Sequence, residues 1–329
     1  MLYLHGVGHF HPPNTIDNDF LGSLDIGTDD AWIQERVGIV SRRTVLSLDY
    51  LRQTRNRDPR QAHEASSHSN AETGAAAARM AMARAGVTAA DIKLVLSGSC
   101  SPQWSIPAEA CTIAAALDID APCYDVASAC STFAAQLQHL WRAKTTGLPE
   151  CVLLVQPENN TRVIDYSDRR TAVLWGDCSS AQVLSQSPAR VGIQTVQLQS
   201  DVQGWNKVRI PVGGHFVQDG RSVQGFAIRK GTSTLLALRE QCRGAVGSLH
   251  FIGHQANLLV LEGICRRAEI PASRHFCNVR AFGNTGAAGA PSVLSQHWET
   301  FAPGDELAMV VVGSGLTWGG ALLRFEEVR

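Results

Sequence analysis

The chain has 329 residues, 44% of them hydrophobic and 18% charged, with a formal net charge of -1 at pH 7. That length exceeds one ordinary domain and suits two domains or one duplicated fold around a large core. The near-neutral balance argues against general nucleic-acid binding, and no apolar stretch reaches the roughly 18 residues a membrane span needs.

In chain order, MLYLHGVGHFHPP opens the sequence and is too short and too broken by His and Gly to read as a signal peptide. It predicts a strand over 2–8 instead. Further strands are predicted over 92–98, 123–126, 151–156, 249–253 and 307–313, each a short apolar run. Between them lie alanine-rich helical patterns, so the expected class is α/β with buried strands. The clearest helix runs over 70–85, where Ser69 and Glu72 form a capping box and Gly86 provides the stop. Residues 45–68 are polar and of mixed charge. They read as an exposed excursion, partly helical, ahead of that helix.

Nine cysteines, an odd number, fall mostly inside apolar runs. With no secretion signal they read as reduced cytoplasmic thiols. Neither the Cys100/Cys111 nor the Cys123/Cys130 spacing matches a zinc pattern, so no metal is expected.

The two halves echo each other in order. IKLVLSGSCSP leads to CYDVASACSTFAAQLQHLW, and LHFIGHQAN leads to FCNVRAFGNTGAAGAPSVLSQHW. Each has a strand with a polar end, a second strand, a small-residue turn and a helix. A duplicated fold, divided as 1–185 and 186–329, would put Cys130 and Asn284 at matching helix starts.

Cys130 stands in DVASACSTF, between small residues and in the first turn of a predicted helix. Phe133, Leu137, Leu140 and Trp141 mark that helix's inward face. Unpaired N–H groups and the helix dipole there favour an anion, so a thiolate would be stabilised. Taken alone, a small buried cysteine is the commoner reading. Taken alone, His254 in GHQAN is an ordinary structural histidine and Asn284 in FGNTGAAG a turn or cap residue. The glycines of VVGSGLTWGGALLRF read by themselves as an ordinary turn. Together these segments supply a thiol nucleophile, an imidazole, a carboxamide and a glycine N–H, a set suited to acyl-thioester chemistry.

These four segments, in this order, resemble the β-ketoacyl-[acyl-carrier-protein] synthase III family of thiolase-fold condensing enzymes, and the resemblance covers nearly the whole chain. It implies a thiolase-like α/β fold of duplicated βαβαβαββ halves, layered α-β-α-β-α. It implies that Cys130 is acylated, that His254 and Asn284 promote carbanion formation on a second thioester, and that the N–H groups of Cys130 and Gly315 form the oxyanion hole. DDAWIQERVGIVSRR resembles the family's coenzyme A entrance, which assigns Trp32 and Arg36, together with Asn257, to coenzyme A. DRRTAVLWGDCSSA resembles another family stretch. Arg266 and Arg267 match a basic pair that faces the acidic carrier protein. Ile106 in SIPAEA stands where the family carries a bulky aromatic that gates the neighbouring subunit's acyl pocket, which implies a longer or branched acyl group. Leu259 replaces a family arginine.

The implied partners are acyl-CoA or acyl carrier protein and a second copy of the chain, in the cytoplasm, with no nucleic acid and no membrane. No resident cofactor is implied, since coenzyme A or phosphopantetheine thioesters are the substrates. The 45–68 excursion resembles specialised-metabolism relatives, some of which condense acyl groups with β-ketoacyl thioesters while others pass them to oxygen or nitrogen. A non-catalytic partner of a ketosynthase heterodimer is a further alternative, which the retention of Cys130, His254 and Asn284 together opposes.

Overall fold

In the computed structural model, which describes residues 1–143, 145–244 and 249–327, the chain runs twice through one sequence of elements. The first pass is β1 (Leu2–Phe10), α1 (Asn70–Ala85), β2 (Leu94–Ser97), α2 (Glu109–Ala116), β3 (Cys123–Asp125), α3 (Thr132–Arg142), β4 (Val152–Glu158) and β5 (Cys178–Ser185). The second is β6 (Val191–Ser200), α4 (Gly220–Arg239), β7 (Leu249–Gly253), α5 (Leu258–Ala268), β8 (His275–Phe276), α6 (Gly289–Gln296), β9 (Glu306–Gly313) and β10 (Thr317–Phe325). The strands lie in the order β3-β2-β4-β5-β1-β6-β10-β9-β7-β8, so the two five-stranded sets mirror each other across the β1–β6 pair. That pair joins them edge to edge through Leu2–Ile193, Tyr3–Gly192 and Leu4–Val191 into one continuous sheet.

Alternation along the strands explains the layers. Val95, Leu153 and Val155 face outward onto α1 and α2, while Leu94, Leu96, Val152 and Leu154 face a central core. In the second set Ala308, Val310 and Val312 face α4 and α5, and Leu307, Met309 and Val311 face the same central core. That core also holds Phe133 and Leu137 of α3 and Val293 and Leu294 of α6. Two helices are thus enclosed between the half-sheets, which gives the layered α-β-α-β-α thiolase-like arrangement. Strands buried on both faces need apolar residues at nearly every position, which is why their runs stood out in the sequence.

β5, β6 and β10 were not among the predicted strands, while β8 lies at the second strand expected ahead of FGNTG. β5 reads CSSAQVLS, yet Ser179, Ser180 and Gln182 are fully buried. Ser180 and Gln182 survive because Gln156, Gln182, Gln136 and Ser180 bond one another at 2.6–3.0 Å. Trp141, expected inward, is exposed, although Phe133, Leu137 and Leu140 are buried. The capping box at Ser69 and Glu72 is present, and Gly86 ends α1 in the left-handed region.

The 45–68 segment is not a solvated excursion. It forms helices Leu48–Thr54 and Gln61–Ala65, and buries Leu46, Leu51, Asn56 and Ala62. Asn56 Nδ2 donates to the carbonyls of Arg162 and Ile164 at 2.8 and 2.9 Å, which staples the segment to the first half. Its buried residues are too widely spaced for the apolar pattern to show. Among the described residues no helix is long and apolar enough to cross a membrane.

Candidate active site

Cys130 is set by a sharp passage from β3 into α3. Ser131 N–H donates to Ser128 O at 3.0 Å and Thr132 N–H to Ala129 O at 3.0 Å, while the Thr132 hydroxyl accepts Ser128 N–H at 2.9 Å. The turn forces Ala129 to φ +45, a left-handed conformation that costs a non-glycine residue about 1–2 kcal/mol. Cys130 lies two residues before the first residue of α3 rather than inside its first turn. Its sulfur stands in a cavity of about 140 Å³, with Ala129, Trp175, Phe216 and Ser314 among the walls.

The β9–β10 hairpin presses on this turn from the second half. A Cβ at Gly313 would stand 2.8 Å from Ser131 N and 3.2 Å from Cys130 N, so only glycine lets the strand end approach so closely. The hydroxyls of Ser131 and Thr317 lie 2.5 Å apart across the same contact. Ser314 lines the Cys130 cavity, and Gly315 follows it at φ +132.

The strongest influence on Cys130 is a residue the sequence reading passed over. The Cys100 sulfur lies 3.8 Å from the Cys130 sulfur. A hydrogen bond from the Cys100 thiol, aided by the charge of His254, holds Cys130 well below the usual thiol range despite burial. The same contact, with burial, pushes Cys100 up.

His254 follows β7 directly, and its Nδ1 has no hydrogen-bond partner among the described residues. Gln255 beside it is fully buried and accepts the N–H groups of Asn278 and Val279 at 3.0 and 3.1 Å. It thereby ties the histidine loop to the chain that approaches Asn284. Asn284 is buried, its backbone is held by Leu174 O and Gly176 N, and its Oδ1 accepts Gly286 N–H at 3.1 Å. That last bond commits the oxygen and leaves the amide NH₂ as the end available to donate.

Glu158, at the end of β4, connects the loop that carries Cys100 to the Asn284 turn. Its carboxylate accepts Cys100 N–H at 3.0 Å and Ala287 N–H at 3.0 Å. Burial, reinforced by the Cys130 charge, pushes it up to about 8. Gly286, at φ +57, passes so close that a Cβ would stand 2.8 Å from the carboxyl carbon. An ionisable residue closing a strand that begins as an apolar run was the available signal for Glu158, and it went unread. For Cys100 no local signal exists, because its partner is remote in sequence.

The remaining candidates fall elsewhere. Trp32 and Arg36 share helix Asp30–Val37, with the guanidinium 4.8 Å from the ring centroid. Arg169, inside the quoted DRRTAVLWGD stretch, covers the same ring at 4.9 Å. Asn257 caps α5, its Oδ1 accepting Val260 N–H at 2.9 Å, which gives it a structural task. Arg266 and Arg267 are exposed in the last turn of α5. Ile106 is 85% exposed and lines no part of this chain's own Cys130 cavity. Among the described residues no group of three His, Cys, Asp or Glu side chains is placed to hold a metal ion.

Residues 124–202 match the family described as 3-oxoacyl-[acyl-carrier-protein] synthase III, and residues 249–325 match its C-terminal counterpart. The first span contains Cys130; the second contains His254, Asn284 and Gly315. A β-ketoacyl-[acyl-carrier-protein] synthase III from Bacillus pumilus is 32% identical over 97% of each chain. Among solved structures, the 3-oxoacyl-[acyl-carrier-protein] synthase III of Aquifex aeolicus superposes with a TM-score of 0.87 at 26% identity, over 99% of this chain and 100% of that one. The priming β-ketosynthase of the R1128 polyketide pathway does so with 0.85 at 27%, over 99% and 97%.

Proposed function

The chain belongs to the β-ketoacyl-[acyl-carrier-protein] synthase III family, and from that premise we propose that it joins two acyl thioesters by Claisen condensation. One observation carries the reading above the others: the Cys130 sulfur is held toward the thiolate at the wall of an internal cavity, with His254 contributing to that field.

In the first step the sulfur attacks the carbonyl carbon of an acyl-CoA or acyl-carrier-protein thioester. Charge collects on the carbonyl oxygen, where the N–H groups of Cys130 and Gly315 donate. The carrier thiolate leaves and the acyl group stays on Cys130. In the second step a malonyl thioester loses CO₂, and the electrons of the broken C–C bond form an enolate. His254 and the Asn284 amide donate to its oxygen. The enolate carbon attacks the acyl carbonyl, a C–C bond forms, and Cys130 departs as a thiolate. With a β-ketoacyl thioester as acceptor, the α-carbon gives up a proton to solvent water instead of losing CO₂. A thiol that titrates low serves both steps, as nucleophile and as leaving group.

Trp32, flanked by Arg36 and Arg169, offers a stacking face with cations for the nucleotide end of coenzyme A. Arg266 and Arg267 present charge to an acidic carrier protein. The outward projection of Ile106 fits a residue that closes the acyl cavity of a second copy, in a cytoplasmic homodimer.

Intact-mass spectrometry after mixing with acyl-CoA tests the first step. The protein gains the acyl mass, and Cys130→Ala does not. Product analysis with malonyl and β-ketoacyl thioesters tests the second. An acyl adduct that survives Cys130→Ala, or acylated protein that consumes neither acceptor, overturns the reading.

A further inference from the structure

Four cysteines of the first half meet in pairs that sequence spacing does not suggest. Cys111 of α2 and Cys123 of β3 bring their sulfurs to 3.0 Å, and Cys100 and Cys130 bring theirs to 3.8 Å. The second pair is chemically unequal, one member held toward the anion and the other toward the thiol by their mutual contact. In the first pair burial and the neighbouring sulfur push Cys123 up to about 11. Proximity alone therefore does not separate the pairs; the lowered Cys130 thiol and the cavity that both of its pair's members line do.

The Cys100–Cys130 pair is also reachable. Cys100 lines both the cavity at Cys130 and a larger one of about 550 Å³, walled by Pro59, His63, Trp104 and Pro211. A molecule as small as a peroxide, passing from the larger cavity toward Cys130, meets Cys100 on the way. The Cys100 backbone is pinned by its N–H bond to Glu158, so its side chain stays beside Cys130.

We propose that Cys100 is a resolving thiol: when a peroxide oxidises Cys130, Cys100 captures it as a reversible disulfide that switches the nucleophile off and shelters it from irreversible oxidation. In the first step the Cys130 thiolate attacks one peroxide oxygen. An S–O bond forms, the O–O bond breaks, and hydroxide leaves, which oxidises Cys130 to a sulfenic acid. In the second step the Cys100 sulfur attacks the Cys130 sulfur. The S–S bond forms as the S–O bond breaks, and the departing hydroxide takes the Cys100 proton as water. The sulfurs close from contact to the bonded separation of about 2.05 Å by side-chain rotation. A dithiol reverses the reaction. Without Cys100 the sulfenic acid waits for a second peroxide and passes to sulfinic acid, which thiols do not reduce.

The consequence for catalysis rests on Cys130 being the acyl-accepting nucleophile; the oxidation itself does not. The test treats reduced protein with hydrogen peroxide and follows intact mass, peptide mapping and capture of the acyl group from acyl-CoA. Expected for the wild type are a loss of about 2 Da, a Cys100–Cys130 cross-linked peptide, and acyl capture reduced more than about tenfold and restored by dithiothreitol. Expected for Cys100→Ser and Cys100→Ala are oxygen additions on Cys130 and a loss that dithiothreitol does not repair. A Cys111→Ser, Cys123→Ser double variant behaves as the wild type. The inference is overturned if treated wild type shows no Cys100–Cys130 peptide, or if dithiothreitol rescues the Cys100 variants equally. If untreated reduced protein takes no acyl group while the peroxide-treated protein still forms the disulfide, the catalytic reading fails and this one stands.

Discussion

The turn that carries Cys130 and the turn that carries Asn284 hold the same place in their two halves. Each follows the third strand of its half and leads into one of the two enclosed helices. They are held in different ways. The Cys130 turn is closed largely by its own neighbours, Ser128, Ala129, Ser131 and Thr132, and stores strain at Ala129. The Asn284 turn is longer and is held from outside, by Leu174 and Gly176 and by the Glu158 carboxylate. The group proposed to attack is aimed by local chain geometry, whereas the group proposed only to donate is placed by remote contacts. An attacking atom gains from a stiff, self-contained mount, because small misplacement costs rate steeply. A donor to an enolate works wherever its N–H ends up correctly aimed, so its backbone can be delegated to the tertiary fold.

Three experiments probe that contrast. The largest effect is on condensation. His254→Ala and Asn284→Ala are expected to keep acyl capture by Cys130 while slowing condensation about 10²–10⁴-fold, measured by single-turnover mass spectrometry and product formation. Equal loss of both steps in either variant would end the division of roles. Next comes stability. Gly286→Ala is expected to cost about 2–4 kcal/mol in urea unfolding, because its Cβ meets Glu158 and Asn160 at positive φ. Ala129→Gly, which relieves a left-handed alanine in the self-contained turn, should stay within about 1 kcal/mol of wild type. Similar costs at the two positions would erase the contrast.

The third reads a pH slope. Glu158 is raised from 4.5 to about 8, so between those values the folded protein binds a proton that the unfolded chain does not. Stability from this group is therefore full below pH 4.5 and is lost as pH rises through about 8. Wild type should lose stability relative to Glu158→Gln across that window, read from urea midpoints at several pH values. Parallel curves would mean that Glu158 stays ionised in the fold.

Much of this was legible beforehand, for identifiable reasons. Strands β1, β2, β4, β7 and β9 were found with their ends shifted by no more than two residues, because burial leaves largely apolar runs. The short edge strand β3, which is not buried, was found with one end shifted by a single residue. The Cys130, His254 and Asn284 segments were found because each couples a reactive side chain to a strand end or a small-residue turn. β5 was missed because its polar residues are satisfied by a glutamine network drawn from β4 and α3. The 45–68 segment was misjudged because one asparagine and a few scattered apolar residues pin it down, and scattered burial has no period.

By itself the sequence determined which residues are chemically able to act, the alternation of strands and helices, and the repeat that makes two halves. Those follow from side-chain chemistry and from periods of two and 3.6, which are local properties. The tertiary structure alone decided that Cys100 touches Cys130, that Glu158 bridges the Cys100 loop and the Asn284 turn, and that the β9–β10 hairpin closes on the nucleophile. Those contacts cross layers of the fold, and they govern what burial and charge do to a thiol or a carboxyl. No run of neighbouring residues carries that information, because desolvation and electrostatic fields depend on distance in space.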